Sequence, residues 1–238
     1  MGEYQMEKIS FGQKNIPGFI IGETLAPGII FIQEWWGVTD IVKDQAKLLA
    51  SRGFRVLIPD LYKGVIGLDR EEASHLLTSL DYRLAIDEIR EAAVHLLSTG
   101  SPKVGICGGC MGGALAFAAA QHVSELSAAV PLYGTPAREM PWIDVGKIRI
   151  PVSYHTGSLD RITGFSDHIT ARRIFQEVKL NNCDIELFIY EDTPHSFLNA
   201  LTEDGIEFLI KWDYGVPPQE QVQLCFSRII EFFKKHLE

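Results

Sequence analysis

Three residues in this sequence are of types, and in an order, that could share one reaction: Cys110, Asp160 and His195. Cys110 stands in Gly108-Gly109-Cys110-Met111-Gly112, a nucleophile with glycines two positions to either side. That frame marks a strand turning sharply into a helix with the reactive residue at the apex. Such a turn strains the apex backbone and admits only small neighbours. Its side chain points out at a helix N-terminus, where free N–H groups and the dipole favour a thiolate. Downstream lie Thr156-Gly-Ser-Leu-Asp160 and Tyr190-Glu-Asp-Thr-Pro-His195, each directly after a strand-like run. His195 would take the Cys110 proton, Asp160 would fix the imidazole tautomer, and the thiolate would attack an ester carbonyl. The oxyanion would be held by the backbone N–H of Met111 and by a second from Gln33-Glu34-Trp35-Trp36-Gly37, where Trp35 is the candidate donor.

The elements that must position these groups follow from periodicity. Residues 7–12 and 18–23 alternate as strands around Pro17-Gly18, which reads as the turn of an antiparallel hairpin. Residues 28–33, 54–59, 103–107, 128–133, 152–156 and 184–190 are further strands. Helical spacing covers 40–51, 69–80, 81–98, 111–122, 167–180 and 218–236, with Asp69 and Asp81 at helix starts. Segment 200–215, acidic and aromatic, could form a lid; its conformation is not legible. Strands alternating with helices predict one α/β domain over 1–238, a mostly parallel sheet with helices on both faces and functional groups at the carboxyl ends of the strands. Nucleophile, acid, histidine is also the chain order of the α/β-hydrolase fold.

The chain has 238 residues, 46% of them hydrophobic, enough for a large core. A formal charge of −9 argues against nucleic acid or an anionic membrane as partner. The sequence shows no 20-residue apolar span and no signal core, so a cytosolic protein is expected, with monomer as the default. Four cysteines are too few for a disulfide scaffold, and no metal or cofactor is expected.

Beyond these readings, the sequence resembles the dienelactone hydrolase family. The resemblance rests on Gln33-Glu34 before an aromatic and a glycine, Ile58-Pro-Asp-Leu-Tyr62, Gly108-Gly-Cys-Met-Gly-Gly113, Leu132-Tyr-Gly134, Gly157-Ser-Leu-Asp160 and Tyr190-Glu-Asp-Thr-Pro-His195-Ser-Phe197. It implies an α/β-hydrolase fold and hydrolysis of a small ester or lactone. It also implies that Glu34 pairs with the resting thiol and takes its proton when substrate binds, so that an idle Cys110 resists oxidation. An anionic substrate would be gripped by two arginines. Arg70, in Arg70-Glu-Glu-Ala73, matches one, while Asn199 stands where the other belongs and Ser74 replaces a tyrosine. Arg161 and Arg138 are the nearby cations that could compensate. Trp36 and Tyr133 complete the expected substrate contacts, Tyr133 either facing the pocket or packing beneath it.

Two other functions compete. A non-catalytic binding module would not need an intact triad. A redox protein would use Cys107 and Cys110 as C-x-x-C, but Cys107 lies on the strand itself and reads as core.

Overall fold

The computed structural model describes residues 4–136 and 140–238. Gly28–Ile32 (β3) and Arg55–Pro59 (β4) are buried at every position, as strands covered on both faces must be. With Glu7–Phe11 (β1), Ile16–Ile21 (β2), Val104–Gly109 (β5), Leu126–Leu132 (β6), Val152–Gly157 (β7) and Ile185–Tyr190 (β8) they form one eight-stranded sheet in the order β1-β2-β4-β3-β5-β6-β7-β8. The β1–β2 and β2–β4 pairs are antiparallel and the remaining pairs are parallel. This is the expected α/β-hydrolase architecture, with its N-terminal hairpin.

The hairpin differs from expectation in its turn. Residues 12–15 turn the chain, through Gly12 (φ +67°) and Asn15 (φ 52°), and Pro17 and Gly18 lie inside β2. Pro17 sits one residue before β2 meets β4, where Gly18 opposes Pro59, so its missing N–H removes no bond on that side. Gly18 is required by close approach, since an added Cβ would lie 2.7 Å from the Ile58 carbonyl oxygen.

Helices Tyr82–Ser98 (α3), Met111–His122 (α4) and His168–Leu180 (α5) cover one sheet face. Asp40–Ala50 (α1) and Gln219–Leu237 (α7) cover the other. Arg70–Ser79 (α2) precedes α3, and Glu203–Lys211 (α6) follows the 3-10 turn Phe197–Leu201. Asp69, Asp81 and Asp167 each cap a helix start by accepting backbone N–H groups. No helix among the described residues is long and apolar enough to cross a membrane.

Strand order reverses between β3 and β5, whose neighbours on the far sides are β4 and β6. Loops leaving adjacent strands there diverge to opposite faces and open a crevice at the carboxyl ends. Glu34 follows β3 and Cys110 follows β5, so both lie at that crevice.

Candidate active site

Cys110 occupies the apex between β5 and α4 at φ 56°, ψ −119°, a conformation that costs about 1–3 kcal/mol for a non-glycine residue. Hydrogen bonds over-determine it. Its N–H donates to the Leu132 carbonyl at 3.1 Å, and its own carbonyl accepts from Gly113 at 3.0 Å and Ala114 at 3.1 Å. The flanking glycines let neighbours close in. A Cβ on Gly109 would lie 2.6 Å from the Tyr133 hydroxyl oxygen, and one on Gly112 would lie 2.6 Å from the Ile32 carbonyl oxygen. From Met111 to Ala120, α4 is buried all round, which explains its run of alanines.

His195 and Asp160 meet beside this apex. His195 Nδ1 lies 2.6 Å from Asp160 Oδ2, and both residues are buried. Ser166 donates to Asp160 Oδ1 at 2.8 Å, and the Ile162 N–H reaches the same oxygen at 3.2 Å. His195 Nε2 has no hydrogen-bond partner and is the nitrogen left for Cys110. Burial works against charge on His195, but the electrostatic interaction with Cys110 and the hydrogen bond to Asp160 outweigh it and hold the imidazole well above its ordinary value. The geometry therefore favours an imidazolium next to the sulfur.

Glu34 lies behind the histidine rather than on the thiol. Its Oε2 accepts from Ser196 at 3.1 Å and more weakly from Asn199 at 3.5 Å, while the Tyr133 hydroxyl lies beside the carboxylate. No hydrogen bond joins Glu34 to Cys110, and Oε1 is unpartnered. Burial raises the Glu34 carboxyl, opposed by the charge on His195 and by these hydrogen bonds. A carboxylate so placed accepts a proton readily. Of the two expected oxyanion donors, Met111 opens α4, so its N–H has no intrahelical partner, and the Trp35 N–H donates to no protein acceptor.

In front of Cys110 and His195 is a cavity of about 390 Å³. Trp35, Tyr82, Met140, Ile162, Phe165 and Tyr214 are among the apolar and aromatic residues of its wall, and among the described residues no lysine or arginine lines it. The four side chains expected to touch substrate lie elsewhere. Tyr133 packs beneath the site, its ring edge-on to His195 at 5.3 Å. Trp36 is buried under α6 against Phe208 and Trp212. Asn199 links Glu34 to Gln45, whose side chain donates to Asn199 Oδ1 at 3.0 Å. Arg70 is exposed and donates to the Trp212 carbonyl. Arg161 is exposed and not part of the wall, and Arg138 lies outside the described residues.

Sequence reasoning did not single out Ser166, Ser196, Gln45 or Tyr214. Ser196 follows the histidine directly and Tyr214 ends an aromatic run before a glycine, but Ser166 and Gln45 carry no local signal. Cys107, fully buried on β5, packs in the cluster of α1 and α7 rather than in the cavity, with burial and Cys225 pushing its thiol well up. Among the described residues no group of three or more His, Cys, Asp or Glu side chains could hold a metal ion.

Comparison with known proteins agrees with this geometry. The family model described as "dienelactone hydrolase family" matches residues 16–237. Protein usf of Aquifex pyrophilus is 31% identical over 221 residues, covering 89% of each chain. Carboxymethylenebutenolidase of Rhodococcus opacus is 28% identical over 219 residues, covering 88% of this chain and 81% of that one. The fold is shared with the dienelactone hydrolase-like promiscuous phosphotriesterase P91 from metagenomic libraries, at a TM-score of 0.79 and 20% identity over all of both chains. From β2 to its closing helix, the chain belongs to the dienelactone hydrolase family of carboxylic-ester hydrolases.

Proposed function

We propose that the protein hydrolyses a small, uncharged ester or lactone with an apolar body, through a thioester on Cys110. The observation that carries this reading is the His195–Asp160 contact at 2.6 Å, with Nε2 unpaired at the edge of an apolar cavity that Cys110 also lines. The Cys110 thiolate, paired with the His195 imidazolium, adds to the ester carbonyl carbon. The resulting oxyanion is held by the N–H groups of Met111 and Trp35. Collapse expels the alkoxide, which takes the proton from His195 Nε2, and leaves the acyl group on sulfur. Neutral His195 then takes a proton from water, and the hydroxide adds to the thioester carbonyl. A second collapse releases the carboxylic acid and restores thiolate and imidazolium. Glu34 is the group that takes the thiol proton when the resting enzyme is charged for attack.

The preference for uncharged substrates rests on the cavity wall. A carboxylate buried there would meet no lysine or arginine among the described residues, at a cost of several kcal/mol. Among the described residues Arg70 donates to the Trp212 carbonyl outside the cavity wall, and Asn199 is turned to Glu34.

The test uses p-nitrophenyl acetate and butyrate with wild type and Cys110→Ala, and intact-mass spectrometry of quenched reactions. Turnover should vanish in the variant, and the wild type should carry one acyl adduct on the peptide containing Cys110. Persistent turnover in Cys110→Ala, or an adduct on another residue, would sink this mechanism, and a wild type without turnover would leave a binding module as the alternative.

A further inference from the structure

We propose that Tyr214 is a further residue of the active site, a plate stacked on His195, and that Arg70 positions it from outside the cavity. The proposal rests on the reading of Cys110, Asp160 and His195 as the hydrolytic centre.

Tyr214 lines the cavity. Its ring stacks on His195 at 6.0 Å between centroids and 29° between planes. On its other side Phe208 of α6 stacks at 6.1 Å and 17°. The ring is thus held on both faces, by His195 on one side and Phe208 on the other. An aromatic face against an imidazolium favours the charged form. His195 must hold and release that charge twice per turnover, so the plate bears on the chemistry and not only on the cavity shape.

Arg70 reaches this plate from the first turn of α2. Its guanidinium donates to the carbonyl of Trp212, the C-cap of α6, and lies 5.8 Å over the Tyr214 ring. A helix C-terminus offers unpaired carbonyls and the negative end of the dipole, both suited to a cation. Past that cap the backbone turns through positive φ at Asp213 (56°) and Gly215 (+90°), and the Tyr214 N–H donates back to the Leu209 carbonyl at 3.0 Å. The Arg70 contact therefore ties the segment that carries Tyr214 to the N-terminus of α2. Held at the Trp212 carbonyl, the Arg70 side chain is not part of the cavity wall where a substrate carboxylate would lie.

The two roles separate by substrate charge. Loss of a latch harms every substrate alike through kcat, whereas loss of a grip raises KM for anions alone. The experiment compares wild type, Arg70→Ala, Tyr214→Leu and Tyr214→Phe on neutral p-nitrophenyl butyrate and anionic p-nitrophenyl hemisuccinate. Amide hydrogen exchange is followed in the same full-length proteins. Arg70→Ala should lower kcat about 3–10-fold on both esters by the same factor. It should also speed exchange at the amides of residues 212–214, with α3 unchanged. Tyr214→Leu should lower kcat about tenfold or more, and Tyr214→Phe should restore it to within about twofold, because the ring is what stacks. A loss in Arg70→Ala confined to KM for the hemisuccinate would overturn the latch, as would unchanged exchange at 212–214. Wild-type kcat in Tyr214→Leu would overturn the plate. If Cys110→Ala proved active, the hydrolytic reading would fail by itself, and the exchange result would still decide whether Arg70 is a latch.

Discussion

Ser166 Oγ donates to Asp160 Oδ1 at 2.8 Å, occupying the carboxylate oxygen that His195 does not use. The same hydroxyl oxygen stands 3.2 Å from His195 Nδ1, so one small side chain fixes both the acid and the base. Removing it leaves a buried carboxylate short of one donor and free to rotate. Ser166→Ala should lower kcat by about 3–10-fold, corresponding to about 1 kcal/mol of a charge-assisted hydrogen bond, with KM nearly unchanged. Steady-state kinetics on p-nitrophenyl butyrate checks this. A variant with wild-type kcat would mean that the Ile162 N–H and His195 orient Asp160 unaided.

Against the effect of burial, the electrostatic interaction with Cys110 and the hydrogen bond to Asp160 hold His195 above its usual range. If thiolate and imidazolium are the active pair, activity is lost on the alkaline side as His195 deprotonates. Asp160→Asn withdraws one of the groups that raise His195, so the alkaline limb of kcat/KM should move to lower pH, with a fall in the maximum of about 10²–10⁴-fold. Profiles of wild type and variant between pH 5 and about 10 test this. An alkaline limb that stays in place would show that the limb belongs to another group.

Glu34 has a raised carboxyl because it is buried, and its Oε1 is unpartnered. Glu34→Gln keeps the shape but cannot take a proton from Cys110. The expected result is a native circular dichroism spectrum, a kcat/KM lowered by about 10–100-fold, and slower inactivation by hydrogen peroxide, because the thiol keeps its proton. A variant equal to wild type in both rate and peroxide sensitivity would reduce Glu34 to a structural acceptor for Ser196 and Asn199.

His155 gives a stability prediction away from the cavity. It is wholly buried on β7, between the Ser153 hydroxyl at 3.0 Å and the Tyr190 hydroxyl at 2.8 Å. Burial, together with the positive charge of Arg228, pushes it down to about 3. A histidine depressed in the folded state contributes fully above its unfolded pKa, and that contribution is lost as pH falls towards the folded value. Between about pH 6 and pH 4 it should therefore add up to about 1.4 kcal/mol per pH unit to acid destabilisation. Urea unfolding of His155→Gln should show a correspondingly shallower fall in stability over that interval. Parallel curves for variant and wild type would remove His155 from the account.

The sequence carried the elbow, the order of the triad and most elements, and for physical reasons. Glycines around Cys110 announce close backbone approach, aspartates at 69, 81 and 167 announce helix starts, and fully apolar runs announce strands covered on both faces. What stayed hidden depends on contacts between distant segments. Pro17-Gly18 has the composition of a turn, yet the packing of Gly18 against Ile58 places it in a strand. Segment 200–215 shows its helix only through Thr202, which caps Gly205, and through Phe208 and Trp212 meeting Trp36. Arg70 in its local setting could serve substrate or scaffold equally. Only the nearness of α6 distinguishes the two.

The torsion at Cys110 sets durability against activity at a single position. Glycine adopts φ 56°, ψ −119° without the penalty that any side chain incurs there. At residue 110, then, the sequence that folds most comfortably is one that cannot react. Selection for heat resistance alone would tend to erase the nucleophile, so the cysteine persists only where turnover itself is under selection.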